Sequence, residues 1–177
     1  MFSVSQATIR EALRELEARG FLESKPYKGT YVRAFTVEGL KDYFRTRTEI
    51  EVLASKWAAE GGLARVNFSE LEALLKDMER FVSLKDHVAF RKKDMEFHRS
   101  LVKSSGSQSL LSAWDALSHS YWAYFGLFFE EQQYNLEDQM EKHIAIRDAL
   151  KTNQPEELRE AIKNHYVDIS YILRVLD

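Results

Sequence analysis

The sequence contains no cysteine. Disulfides and thiolate metal sites are therefore excluded, and the absence fits a reducing compartment. Proline is confined to Pro26 and Pro155, and glycine occurs only seven times in 177 residues. So few breakers in so long a chain point to long helices. No apolar stretch approaches the roughly 20 residues needed to span a bilayer. The aromatic run 121–129 is too short and is closed by Glu130 and Glu131. The opening residues, Met1-Phe2-Ser3-Val4-Ser5, lack the basic start and apolar core of a signal peptide. These absences lead to the expectation of a cytoplasmic protein with no membrane partner.

What is present describes an ordinary globular chain, 45% hydrophobic and 30% charged, with a net charge of −3. The charge is unevenly spread. Residues 1–33 hold six basic side chains against four acidic ones, net +2, so the remainder carries −5. A basic end on an acidic body permits nucleic-acid contact at that end.

Along the chain, Ile9, Ala12, Leu13 and Leu16 recur at helical spacing, which predicts a helix over 5–19. Ser5 suits its N-cap and Gly20 its C-terminal stop, with Phe21 packing back on Leu16. Two β-prone runs, 21–25 and 30–33, flank Pro26-Tyr27-Lys28-Gly29 and read as a hairpin. A helix followed by a hairpin with a basic turn is the second half of a winged helix-turn-helix. From Thr36 on, the pattern predicts six helices, at 37–60, 69–83, 86–104, 107–132, 135–152 and 155–175. The expected architecture is mainly α: a partial winged helix-turn-helix over residues 1–35, then a six-helix antiparallel bundle over 36–177.

Two sets of residues carry candidate chemistry. In a helix-turn-helix the N-terminal residues of the second helix meet base edges in the major groove. Here these are Ser5, Gln6, Ala7, Thr8 and Arg10, with Arg14 one turn on and Lys28 at the hairpin tip facing the backbone. Gln pairs with adenine and Arg with guanine or phosphate. The plainer alternative is a solvated charged face. The second set begins with Asp94 and His98, which at i and i+4 share one helix face. His143 and His165 sit mid-helix, 22 residues apart, on either side of a short turn, so an antiparallel pair can bring them together. Convergence of all four would suit zinc, nickel, manganese or iron, and an octahedral ion would keep two positions open for a carboxylate or hydroxy acid. Taken singly, each histidine has the plain alternative of a surface or hydrogen-bonded residue. His87 and His119 are left under that reading.

The ordered string Val4-Ser5-Gln6-Ala7-Thr8-Ile9-Arg10-Glu11-Ala12-Leu13-Arg14 through Gly20-Phe21-Leu22 resembles the recognition helix of the GntR superfamily of bacterial regulators. Lys28-Gly29-Thr30-Tyr31-Val32 is similar to its wing. Arg47-Thr48-Glu49-Ile50-Glu51 with Ala54 and Trp57 resembles the first helix of the FadR-like effector (FCD) domain. Asp94-Met95-Glu96-Phe97-His98, Glu141-Lys142-His143 and Ala161-Ile162-Lys163-Asn164-His165 resemble its three metal motifs. Gln6 and Ser107 depart from the residues common there, and the family has a helix and most of another ahead of the recognition helix. A truncated chain, a misassigned start and a natural short form are all consistent with that last difference.

The resemblance implies that Asp94, His98, His143 and His165 bind one divalent metal that helps hold a small carboxylate effector. It places Arg47 in the effector cavity; the alternative is an exposed Arg47 paired with Glu51 at i+4. The aromatic cluster of Trp114, Tyr121, Trp122, Tyr124, Phe125, Phe128 and Phe129 reads as core, some of it lining the cavity. The expected function is a transcriptional regulator, homodimeric on a palindromic operator DNA. Two alternatives stand beside it. One is a ligand- and metal-binding dimeric sensor without DNA binding. The other is a metal-dependent helical-bundle enzyme, against which the chain has no pair of Glu-x-x-His motifs and Glu96 points away from His98.

Overall fold

A computed structural model describes residues 4–34, 36–119 and 135–167. The chain opens with helix α1 (Gln6–Ala18), followed by strands β1 (Leu22–Lys25) and β2 (Gly29–Val32). Ser5 caps α1 by accepting from the Thr8 amide, as its residue type suggests. The helix stops at Gly20, whose φ of +79° needs a residue without a Cβ. Its amide bonds the Glu17 carbonyl at 2.9 Å and the Phe21 amide bonds that of Leu16 at 2.9 Å, the paired C-terminal stop anticipated from Gly20-Phe21. The strands pair antiparallel from Leu22↔Val32 to Lys25↔Gly29. The turn between them holds Gly29 at φ +101° and Tyr27 at φ +62°, with the Tyr27 ring fully in solvent.

The body contains α2 (Val37–Glu60), a short 3₁₀ turn (Leu63–Arg65), α3 (Phe68–Leu84), α4 (His87–Lys103), α5 (Gln108–Ser118), α6 (Leu136–Thr152) and α7 (Pro155–Val167). The sequence pattern did not anticipate the 3₁₀ turn after Gly61-Gly62. Thr36, Asn67, Asp86, Ser107 and Asn135 cap α2 to α6, each side chain accepting an amide at the helix start. Pro155, whose missing N–H costs nothing at a first helical position, opens α7. The fourth and sixth bundle helices were expected to run to 132 and 175. Residues 120–134 and 168–177, including Tyr121, Trp122, Tyr124, Phe125, Phe128 and Phe129, lie outside the described residues. No described helix is long and apolar enough to cross a membrane.

One contiguous core joins α2, α3, α4, α6 and α7 through Leu40, Phe44, Leu71, Met78, Phe97 and Ile146 among others. A smaller cluster of Ala54, Val102, Leu111 and Trp114 ties α5 to α2 and α4. These two clusters place the inner faces of α2, α4, α6 and α7 against one another, which positions the site. The α1 face formed by Ile9, Leu13 and Leu16 remains exposed.

Helix α3 ends on Lys85 at φ +54°, a left-handed conformation that strains any residue with a Cβ. Lys85→Gly removes that strain at an exposed position. The expected gain is about 0.5–1 kcal/mol, read as a raised urea midpoint at unchanged slope. An unchanged or lowered midpoint contradicts it.

Candidate metal centre

Helix α4 contributes Asp94 and His98, α6 contributes His143 and α7 contributes His165. One donor atom from each lies within 4.8 Å of all the others, and all four residues are buried. The turn at Asn153-Gln154, with Asn153 at φ +53°, sets α6 and α7 side by side, so His143 and His165 meet with ring centroids 4.4 Å apart. Asp94 Oδ1 is 3.0 Å from His143 Nε2, 3.8 Å from His165 Nε2 and 3.9 Å from His98 Nε2. His98 Nε2 and His165 Nε2 stand 3.0 Å apart. Phe97 packs edge-on against His98 and His143, with ring centroids 5.6 and 5.1 Å away.

The outer hydrogen bonds assign the protons. His143 Nδ1 donates to the Gln139 carbonyl at 2.7 Å, and His98 Nδ1 donates to Glu51 Oε2 at 2.8 Å. In the neutral form of each ring the Nε2 atom then carries the lone pair. His143 Nε2 faces the Asp94 carboxylate oxygen, acceptor against acceptor, and His98 Nε2 faces a second imidazole nitrogen, that of His165. Neither Asp94 Oδ1 nor His143 Nε2 has a well-directed hydrogen bond among the described residues. Such an arrangement in a buried place calls for a cation. Two ligands at right angles and about 2.1 Å from one ion stand about 3.0 Å apart, which matches the two short separations. The residues present thus fit a single divalent metal.

Burial, followed by the neighbouring histidines, pushes His165 well below the usual imidazole range. Burial likewise lowers His98, and the nearby Glu51 carboxylate only partly opposes it. Both rings are neutral near pH 7, as metal ligation requires. For Asp94, burial alone would raise the carboxyl. The His143 contact and the potential from His98 and Arg91 override that and hold it well below its usual value.

Behind the four donors lies a second layer that sequence reasoning saw only in part. Glu51, fully buried on α2, accepts from Arg47 Nε at 2.9 Å, Trp114 Nε1 at 2.8 Å and His98 Nδ1 at 2.8 Å. The Tyr166 hydroxyl bridges both of its oxygens at 3.0 and 2.9 Å. Burial would raise the Glu51 carboxyl, yet His98, Arg47 and these bonds lower it to about 2. Arg47 does pair with Glu51, but the alternative of an exposed pair does not hold, since only 1% of Arg47 is accessible. Its guanidinium lies over the rings of Trp114 and Tyr166, 5.1 and 5.4 Å from their centroids, and reaches the Tyr43 hydroxyl. A signal for this layer was available. Positions 40, 44, 47, 51, 54 and 58 share one helical stripe, so the apolar pattern itself carries Arg47 and Glu51 into the core.

The other candidates are placed as follows. Gln6, Thr8, Arg10 and Arg14 are exposed along α1, and the Ser5 and Thr8 hydroxyls bond each other at 2.9 Å. Lys28 and Gly29 are exposed at the hairpin tip. His87 is half-buried and His119 exposed, both outside the cluster, and Glu96 turns outward to Lys93. Between the N-terminal elements and the bundle lies a cleft of about 470 Å³, lined by Arg19 and Phe21 on one side and Met95, Arg99, Trp114 and Asp115 on the other.

Comparison with known proteins gives consistent matches. Residues 42–168 match the FCD domain family, and residues 1–32 match the family of bacterial regulatory proteins, gntR family. The chain is 32% identical over 161 residues to the "Probable D-xylose utilization operon transcriptional repressor" of Paenarthrobacter nicotinovorans, covering 91% of this chain and 70% of that protein. It is 24% identical over 169 residues to the galactonate operon transcriptional repressor of Escherichia coli (strain K12), covering 85% and 72%. Among solved structures, E. coli McbR/YncC superposes with a TM-score of 0.79 at 19% identity, over 98% of this chain and 82% of that one. At that identity the likeness speaks for the fold.

Proposed function

Because the chain belongs to the GntR family of bacterial regulatory proteins and carries an FCD domain, we propose that this transcriptional regulator senses a small carboxylate-type effector at a divalent metal. The metal is held by Asp94, His98, His143 and His165. The observation that carries this reading is the convergence of four buried residues, one possible ligand atom from each lying within 4.8 Å of all the others. Three imidazoles and one carboxylate suit zinc, nickel, manganese or iron. The ion would supply a Lewis-acid anchor for a carboxylate or hydroxyl oxygen of the effector. A galactonate operon repressor among the relatives supports a polyhydroxy acid as the effector class. The relatives are transcriptional repressors, so the metal-enzyme alternative is set aside.

Residues 1–35 act as the DNA-binding part and 36–177 as the sensing and dimerising part. Ser5, Gln6, Thr8, Arg10 and Arg14 on α1 face the major groove, while Lys28 and Gly29 approach the neighbouring backbone as a wing. Two copies bind a palindromic operator, and the effector shifts the balance between two arrangements of the pair. Arg47 supports the anion from behind the ligands, linked to His98 through Glu51.

Protein purified without chelator or nickel resin should carry about one ion per chain by elemental analysis. His143→Ala and His165→Ala should each lose it. Adding D-gluconate at about 100 times its Kd should stabilise the loaded protein by about 2.7 kcal/mol and leave the chelated protein unchanged. Retention of the ion in both variants, or equal gluconate effects with and without metal, overturns the reading.

A further inference from the structure

Glu51 holds its four partners unequally. Oε1 receives Arg47 Nε and Trp114 Nε1, and Oε2 receives His98 Nδ1. The Tyr166 hydroxyl lies within reach of both oxygens. Arginine and tryptophan nitrogens can only donate, so the atom at the Oε1 position must be an acceptor. Histidine has a choice, because either ring nitrogen can carry the proton. We propose that Glu51 is a positioning residue: its second oxygen draws the His98 proton to Nδ1 and so leaves Nε2 bare toward Asp94, His143 and His165. This rests on the metal reading above, and it adds a residue on α2 to a site whose ligands come from α4, α6 and α7.

The asymmetry makes Glu51→Gln a sharp test. An amide has one oxygen, and the two obligate donors claim it for the Oε1 position. The amide nitrogen then falls where Oε2 was and donates to His98 Nδ1. His98 must shift its proton to Nε2, which lies 3.0 Å from His165 Nε2. That nitrogen becomes a donor to His165, and the cage closes on a hydrogen bond in place of an ion. The side chain keeps its size and every neighbour keeps a partner, so the substitution alters the proton's address with little change in packing.

Two measurements test this on the full chain. In metal-free protein, ¹⁵N-detected imidazole NMR should show His98 as the Nδ1–H tautomer in the wild type and the Nε2–H tautomer in Glu51→Gln. Competition titrations with zinc should show a loss of about 10–100-fold in affinity, the usual consequence of disturbing a ligand's hydrogen-bond partner. Tyr166→Phe, which leaves both Glu51 oxygens in place, should keep the wild-type tautomer. An Nε2–H tautomer in the wild type overturns the proposal without any variant being needed. So does wild-type zinc affinity in Glu51→Gln. A wild type that takes up no zinc defeats the metal reading instead, and the tautomer comparison still decides the role of Glu51.

Discussion

Glu51→Leu is expected to lower the unfolding free energy by about 3–5 kcal/mol, because it removes one partner of a buried ion pair while leaving the other charge inside. Arg47 and Glu51 are 1% and 0% accessible, so neither can turn to water when the other is lost. Leucine also strands the Trp114 indole N–H and the Tyr166 hydroxyl, both of which bond Glu51. Each buried donor left unsatisfied costs about 1–3 kcal/mol. The contrast is Arg19–Glu15, an i,i+4 pair whose side chains are about half in solvent. Glu15→Ala should cost less than about 1 kcal/mol. Urea denaturation of metal-free protein measures both. The double variant Arg47→Met/Glu51→Leu should be less damaging than the sum of its parts, since it removes both charges together. A loss below about 1 kcal/mol in Glu51→Leu would show that the buried charge does not depend on this carboxylate.

Acidification of the metal-free protein should destabilise it in two stages. His98 and His165 lie below the ordinary imidazole value of 6.5 in the folded state. The unfolded chain therefore takes up protons first, and stability falls as pH drops below about 6.5. Each histidine contributes a slope of up to about 1.4 kcal/mol per pH unit until its folded value is reached. The second stage comes from Glu51, lowered from 4.5 to about 2. Its contribution is complete above 4.5 and disappears as pH falls from there toward 2. Both stages have the same sign, so no acidic optimum is expected. Urea midpoints taken from pH 7.5 down to about 2.5 test this, and His165→Gln should reduce the slope of the first stage by about half. A profile flat between pH 7 and 5 would mean that the two rings take up protons in the folded protein just as they do in the unfolded chain.

The meeting of Asp94, His98, His143 and His165 was legible in the sequence because their spacing is local or nearly so. Asp94 and His98 share a helix face by arithmetic alone, and His143 and His165 straddle one turn marked by Asn153 and Pro155. Helix starts were legible for the same reason, since Ser, Thr, Asn and Asp act on amides three residues away. The support behind the ligands was not. Trp114 and Tyr166 meet Glu51 across 63 and 115 residues of chain, and no periodicity encodes such a meeting. Arg47 shows how the ambiguity arises. Its i+4 spacing to Glu51 is the same whether the pair is solvated or buried, and only the neighbouring helices decide.

The enclosure of the four donors also sets a timescale. None is more than 5% accessible. An ion cannot reach them by diffusing up to an open mouth; α7 or its neighbours must first move away and return. If the four donors hold an ion as proposed, its exchange would follow the frequency of that local opening rather than the affinity alone. A preparation loaded with one metal would keep it through dilution into another, and chelators would remove it at a rate that does not rise with chelator concentration. Which metal occupies the protein would then record the conditions under which the chain folded.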